Sequence, residues 1–192
     1  MHFSLKKKSA KLTATAKAES MMQGYIQVYT GAGKGKTTAA LGLALRAAGA
    51  GLKVFIGQFA KGELYSEIKA IRQYLPGIEV KQYGRKCFIY SQPEPEDIRL
   101  AQDGLAEVRE YINSGKYDVV ILDEANIAVH FNLFSIEDLL KVVQSKPKNV
   151  EIIITGRNAH PELIKTADLV TEMLEIKHYY HQGVAARKGI ES

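Results

Sequence analysis

Residues 24–49 read GYIQVYTGAGKGKTTAALGLALRAAG, and the rest of the chain is organised around them. A β-branched and aromatic run, Tyr25 to Tyr29, enters a loop holding Gly31, Gly33 and Gly35, and an Ala/Leu-rich helical pattern leaves it after Lys36. Backbone N–H groups can wrap a polyphosphate only where Cβ atoms are absent from the sharp turns, so strand, glycine loop and helix together mark a phosphate site. The helix adds the positive end of its dipole, Lys36 a point charge for the outer phosphates, and Thr37 a hydroxyl for Mg²⁺. The ordinary motif places Gly five residues before the glycine of the Gly-Lys pair, where this chain has Thr30; counted from Gly31, the loop is one residue short. A dinucleotide fingerprint fits worse, because its third glycine falls on Lys36.

The chain of 192 residues suits one α/β domain, 23–192, preceded by an arm, 1–22. Hydrophobic residues make up 46%, yet no run approaches the ~18 apolar residues of a membrane span, so no membrane association is expected. The single cysteine, Cys87, fits a reducing, cytoplasmic setting, and Lys6, Lys7 and Lys8 lack the apolar core that would make them part of a secretory signal. Residues 1–20 hold five lysines and one acid, a balance of +4 out of the chain's +5, leaving +1 for the body. A protein that tracks nucleic acid carries its basic face on the fold itself, so the charge reads as a solvated tail and argues against a nucleic-acid partner.

Strand and helix patterns then alternate. Leu52–Gln58 reads as a buried strand ending in the polar Gln58-Phe59-Ala60-Lys61-Gly62, Glu63–Leu75 as a helix, and Ile78–Tyr83 as a strand. Gly84–Pro95 is irregular; Phe88 and Tyr90 in it either cover a ligand or pack into the core. Ile98, Ala101, Leu105, Val108 and Ile112 follow helical spacing. Tyr117–Leu122 is a buried strand ending in Asp123-Glu124, two carboxylates that need a cation or hydrogen bonds, and beside a phosphate loop Mg²⁺ is the expected cation. Ser135 reads as a helix N-cap with Asp138 three residues on. Val150–Thr155 is a strand followed by Gly156-Arg157-Asn158, which puts Arg157 at the ligand-binding edge of the sheet or on the open surface. Pro161 opens a short helix, Asp168–Leu174 is the last strand, and His178 and His181 lack further partners at metal-ligand spacing. The pattern predicts a mostly parallel six-stranded sheet with helices on both faces, like that of the phosphate-loop NTPases of the RecA type.

The sequence resembles the phosphate-loop type of ATP:corrinoid adenosyltransferase, over about residues 24–191. The shortened TGAGKGKTTAA carries the resemblance, with Gln58-Phe59 and Lys61-Gly62, ILDE at 121–124, ITGR at 154–157, and the closing KH, GV and GI of 177–190. The resemblance implies transfer of the 5′-deoxyadenosyl group of ATP to the Co(I) centre of a reduced corrinoid, with triphosphate leaving. It implies that Gly31, Ala32, Gly33, Lys34, Gly35, Lys36, Thr37 and Thr38 bind ATP, with Arg46 and Arg157. It implies catalytic roles for Lys36, Thr37 and Glu124, with Thr37 and Glu124 near Mg²⁺. Phe88 and Tyr90 match an aromatic pair beside the corrinoid, where some members carry Trp at the position of Tyr90. A homodimer, and a flavin-type reductase that supplies the electron for Co(II) to Co(I), are also implied. Two other functions compete: a nucleic-acid-stimulated ATPase motor, and a non-catalytic carrier of corrinoid or nucleotide.

Overall fold

The computed structural model describes residues 23–85 and 92–191. Six strands form one sheet: β1 (Ile26–Thr30), β2 (Val54–Phe59), β3 (Ile78–Tyr83), β4 (Val119–Asp123), β5 (Glu151–Thr155) and β6 (Leu169–Glu172). Their order is β3-β2-β4-β5-β1-β6, and every pairing is parallel. Parallel neighbours need crossovers, and the helices that supply them cover both faces. These are α1 (Lys36–Gly49), α2 (Ser66–Tyr74), α3 (Pro95–Asn113), α4 (Ala125–His130), α5 (Ile136–Gln144) and α6 (Pro161–Thr166).

Alternation along the strands builds two cores. Ile152 and Ile154 of β5 face one way with Phe55, Val120 and Leu122, under Leu105, Val108 and Ile112 of α3 and Leu139 and Val143 of α5. Ile153 faces the other way with Val54, Ile56 and Ile121, under Ala40, Ala44 and Ala47 of α1 and Ile68 and Ile71 of α2. The small alanines let α1 lie close to the sheet, which brings the start of the helix over the strand ends. Ser135 caps α5, accepting from the Asp138 N–H at 3.1 Å. The helix expected from Glu63 begins at Ser66, after a turn in which the Tyr65 N–H donates to the Glu63 carbonyl. The short helix α4 has no apolar repeat of its own to announce it and follows directly on β4.

The strand order positions the site. β1, which carries the phosphate loop, and β4, which carries the carboxylates, are separated only by β5. Chain direction is shared, so the carboxyl ends of all three strands open on one edge, the edge where parallel sheets bind ligands.

Candidate active site

Gly31 takes φ +98°, and a Cβ there would lie 2.4 Å from the Met173 carbonyl oxygen. At Gly33 a Cβ would lie 2.7 Å from the carbonyl oxygens of Met173 and Leu174, and the Gly33 N–H donates to the Met173 carbonyl at 2.7 Å. The loop glycines therefore admit the chain that leaves β6 as well as any phosphate. Lys36, the first residue of α1, is buried, and its Nζ donates to the carbonyls of Gly31 at 2.8 Å and Gly33 at 2.6 Å. Two of its three N–H bonds thus brace the loop. Burial, and next the Arg157 cation, push the Lys36 ammonium below its ordinary range, while Glu124 opposes them.

Beside the loop stands a polar hub. Asp123, at the end of β4, is 2% exposed, and four side chains meet it. Thr37 and Thr155 donate to Oδ1 at 2.8 and 2.6 Å, and Gln58 and Lys61 donate to Oδ2 at 2.9 and 3.2 Å. Burial works against the carboxylate, but the Lys61 charge and these hydrogen bonds hold its pKa below the usual range. Gln58 is the register partner of Asp123 across β2 and β4, and its amide oxygen accepts from Gln82 of β3 at 2.8 Å. Thr155, at the end of β5, also accepts from the Glu124 N–H at 3.0 Å. Glu124 itself is left-handed, φ 58°, as are Ala60 after β2 at 53° and Asn158 after β5 at 57°. Strained turns at three neighbouring strand ends concentrate where a sheet of this kind holds ligands.

A cavity of about 850 Å³ opens over these groups. Gly33, Lys34, Gly35, Lys36, Thr37 and Thr38 line it from the loop and α1, and Lys61, Glu124 and Arg157 from the strand ends. The closing segment adds His178, Gly189, Ile190 and Glu191. Arg157 also donates to the Ala32 carbonyl at 3.1 Å, which ties the end of β5 to the loop. Lys34 turns to the closing segment, donating to the Ile190 carbonyl at 2.9 Å and pairing with Glu191 at 3.1 Å; Glu191 in turn meets Arg187 and the Tyr179 hydroxyl. His181 pairs with Glu175 at 2.6 Å.

The structure brings together most of the residues singled out in the sequence; Gly31 and Ala32 do not line the cavity but accept from Lys36 and Arg157, which do, and Arg46 stands apart. Arg46 is exposed on the last turn of α1, ten residues from Lys36, or about 15 Å along a helix, and it does not line the cavity. Phe88 and Tyr90 lie outside the described residues. The sequence marked Asp123 as one of a cation-seeking pair and Gln58 as part of a polar strand end, but not the hub that joins them with Thr155. Their signal was position alone, a polar residue at or near the end of a buried strand.

The donor set suits a small divalent cation. Among the described residues no cluster of three or more His, Cys, Asp or Glu could hold a metal, but Mg²⁺ takes one or two carboxylates and completes its shell with phosphate and water. Thr37, Asp123 and Glu124 offer such a set, and a cation, the Lys61 ammonium, already stands against both carboxylates.

The parallel sheet, the glycine loop opening α1 and the strand-end carboxylates define a phosphate-loop protein of the α/β class. Residues 22–192 match the family ATP:corrinoid adenosyltransferase BtuR/CobO/CobP, and the chain belongs to that family of transferases. It is similar to a corrinoid adenosyltransferase of Sinorhizobium sp, 33% identical with 97% of this chain and 88% of the relative covered. It is also similar to those of Pseudomonas aeruginosa and Escherichia coli strain K12, each 32% identical over 88% of this chain and covering 84% and 86% of the relatives.

Proposed function

We propose that the chain transfers the 5′-deoxyadenosyl group of ATP to the Co(I) centre of a reduced corrinoid, with the cavity over the shortened loop as the site of transfer. The observation that carries this reading is the convergence of Lys36, Lys61 and Arg157 on one cavity around that loop. Three cations suit a triphosphate held along its length. The cobalt lone pair attacks the ribose 5′ carbon, the C–O bond to the triphosphate breaks, and the bonding pair leaves with the triphosphate. Negative charge grows on that leaving group, so Lys36 and the loop N–H groups stabilise the transition state more than the ground state. The nucleophile is the cobalt of the substrate, so no side chain has to remove a proton.

Thr37, Asp123 and Glu124 would hold Mg²⁺, whose charge would neutralise the triphosphate when bound. Thr37 donates its proton to Asp123, which leaves the hydroxyl oxygen free to face a cation. Phe88 and Tyr90 are proposed to cover the corrinoid, and a flavin-type reductase to supply its electron. A homodimer is proposed on β6, which among the described residues pairs with β1 alone and exposes Leu169 and Val170. The cytoplasm is the proposed compartment, on the single Cys87.

The test is a dark reaction of the full chain with ATP, Mg²⁺ and cobalamin held as Co(I). A light-sensitive Co–C product and inorganic triphosphate should appear in equal amounts. Binding of both substrates without product would make the chain a carrier. Orthophosphate release stimulated by DNA or RNA would make it a motor.

A further inference from the structure

At the end of β2 the chain turns through the left-handed Ala60, and this turn sends the Lys61 side chain across to the end of β4. Its Nζ stands 3.2 Å from Asp123 Oδ2 and 3.4 Å from Glu124 Oε1, and 19% of the side chain remains exposed. One ammonium thus bridges the two carboxylates assigned above to Mg²⁺, and both Lys61 and Glu124 line the cavity. A divalent cation drawn to the same oxygens would meet a positive charge already in contact with them, and the two repel. Lysine is suited to yielding the position, because its charge rides on a flexible four-carbon stem. The cavity already gathers Lys36 and Arg157, so a triphosphate entering it would present oxygens within the same space.

We propose that Lys61 is a resident counter-ion: it holds Asp123 and Glu124 in place before substrate arrives and transfers to the triphosphate when Mg²⁺ enters with the nucleotide. This rests on the metal reading above. Lys61 is a positioning residue for the carboxylates in the first state and a ligand of the leaving group in the second. The exchange keeps the buried Asp123 paired with a cation throughout, so no uncompensated carboxylate is left in the core.

One substitution at Lys61 should have effects of opposite sign on the two ligands. A residue that only supports the fold would weaken every ligand when replaced. Removing a resident competitor should instead strengthen metal binding to the ligand-free protein. The full chain and its Lys61→Met and Lys61→Gln variants would be titrated with Mg²⁺ in the absence of nucleotide, and separately with inorganic triphosphate in the presence of a chelator, by calorimetry. Lys61→Gln retains an amide donor for Asp123 and serves if Lys61→Met does not fold. Mg²⁺ should bind the variants about 5-fold or more tightly than the parent, and metal-free triphosphate about 10-fold or more weakly, the scale of one charged contact. Mg²⁺ affinity that is unchanged or reduced overturns the proposal, whatever happens to triphosphate. If triphosphate affinity is unchanged, the transfer to the leaving group is overturned. ATP titrated into the parent protein with and without Mg²⁺ separates the two levels. Indifference to Mg²⁺ there removes the metal reading and this inference with it, whereas Mg²⁺ dependence in the parent with no gain in the variants removes the inference alone.

Discussion

Replacing Thr155 by Val keeps the branched shape and removes only the hydroxyl, which is fully buried and does two things at once. It donates to Asp123 Oδ1 at 2.6 Å and accepts from the Glu124 N–H at 3.0 Å. A hydrogen bond to a charged acceptor contributes about 2 kcal/mol and one from a backbone amide about 1, so Thr155→Val should cost about 3 kcal/mol of stability. With a urea m-value of about 2 kcal/mol/M, the midpoint should fall by about 1.5 M at unchanged slope. Thr155→Ser keeps the hydroxyl and loses one methyl group, and should cost only about 1 kcal/mol. Asp123 Oδ1 is shared with Thr37, so Thr155→Val should also weaken MgATP, and the Ser variant should restore it. A Thr155→Val loss below about 1 kcal/mol, or a Ser variant as damaged as the Val one, would show that the hub does not depend on this hydroxyl.

Lys36→Ala should weaken ATP by roughly 10- to 150-fold in a binding titration, the equivalent of one charged hydrogen bond at about 1.5–3 kcal/mol; an unchanged ATP affinity would remove Lys36 from the phosphate site. Phe88→Ala combined with Tyr90→Ala should slow transfer to cobalamin with ATP affinity nearly unchanged, whereas an equal loss of ATP binding would place the two rings in the core. Asp97, in the first turn of α3, accepts from Arg85 at two atoms, both at 2.7 Å, and this guanidinium holds its carboxyl below the usual range against the cost of burial. A depressed folded pKa adds stability above the unfolded value of 3.8 that is lost as pH falls through the lower folded one. The parent should therefore exceed Asp97→Asn by about 2 kcal/mol at neutral pH in urea unfolding, with the gap closing only below about pH 4; a gap independent of pH would assign the difference to packing.

The stretch 24–49 contained enough to place strand, loop and helix, because glycine spacing and apolar periodicity are local properties. Ile78–Tyr83 matches β3 at both ends, whereas Tyr25–Tyr29 and Tyr117–Leu122 end one residue short of β1 and β4. Both omissions are polar residues, Thr30 and Asp123, that continue the ladder while their side chains make polar contacts, Thr30 with the Ala159 N–H and Asp123 with Thr37 and Lys61. Hydropathy ends a strand where polarity begins, but hydrogen bonding between strands does not. Arg46 shows the converse. Its place in the helix pattern was correct, yet one helix spans enough length to carry it away from the loop that the same helix begins.

A shortened phosphate loop that opens a helix, buried strands that alternate with helices in a parallel sheet, and two carboxylates that end one of those strands are all written in the order of residues. Each follows from residues that are neighbours along the chain. Folding adds that β5 lies between the loop strand and the carboxylate strand, that Thr155 thereby supports Asp123 and Glu124 together, and that Lys61 crosses from β2 to bridge them. These contacts join residues 31 to 63 positions apart, and chain separation of that size is closed by strand order and packing, which no local pattern encodes.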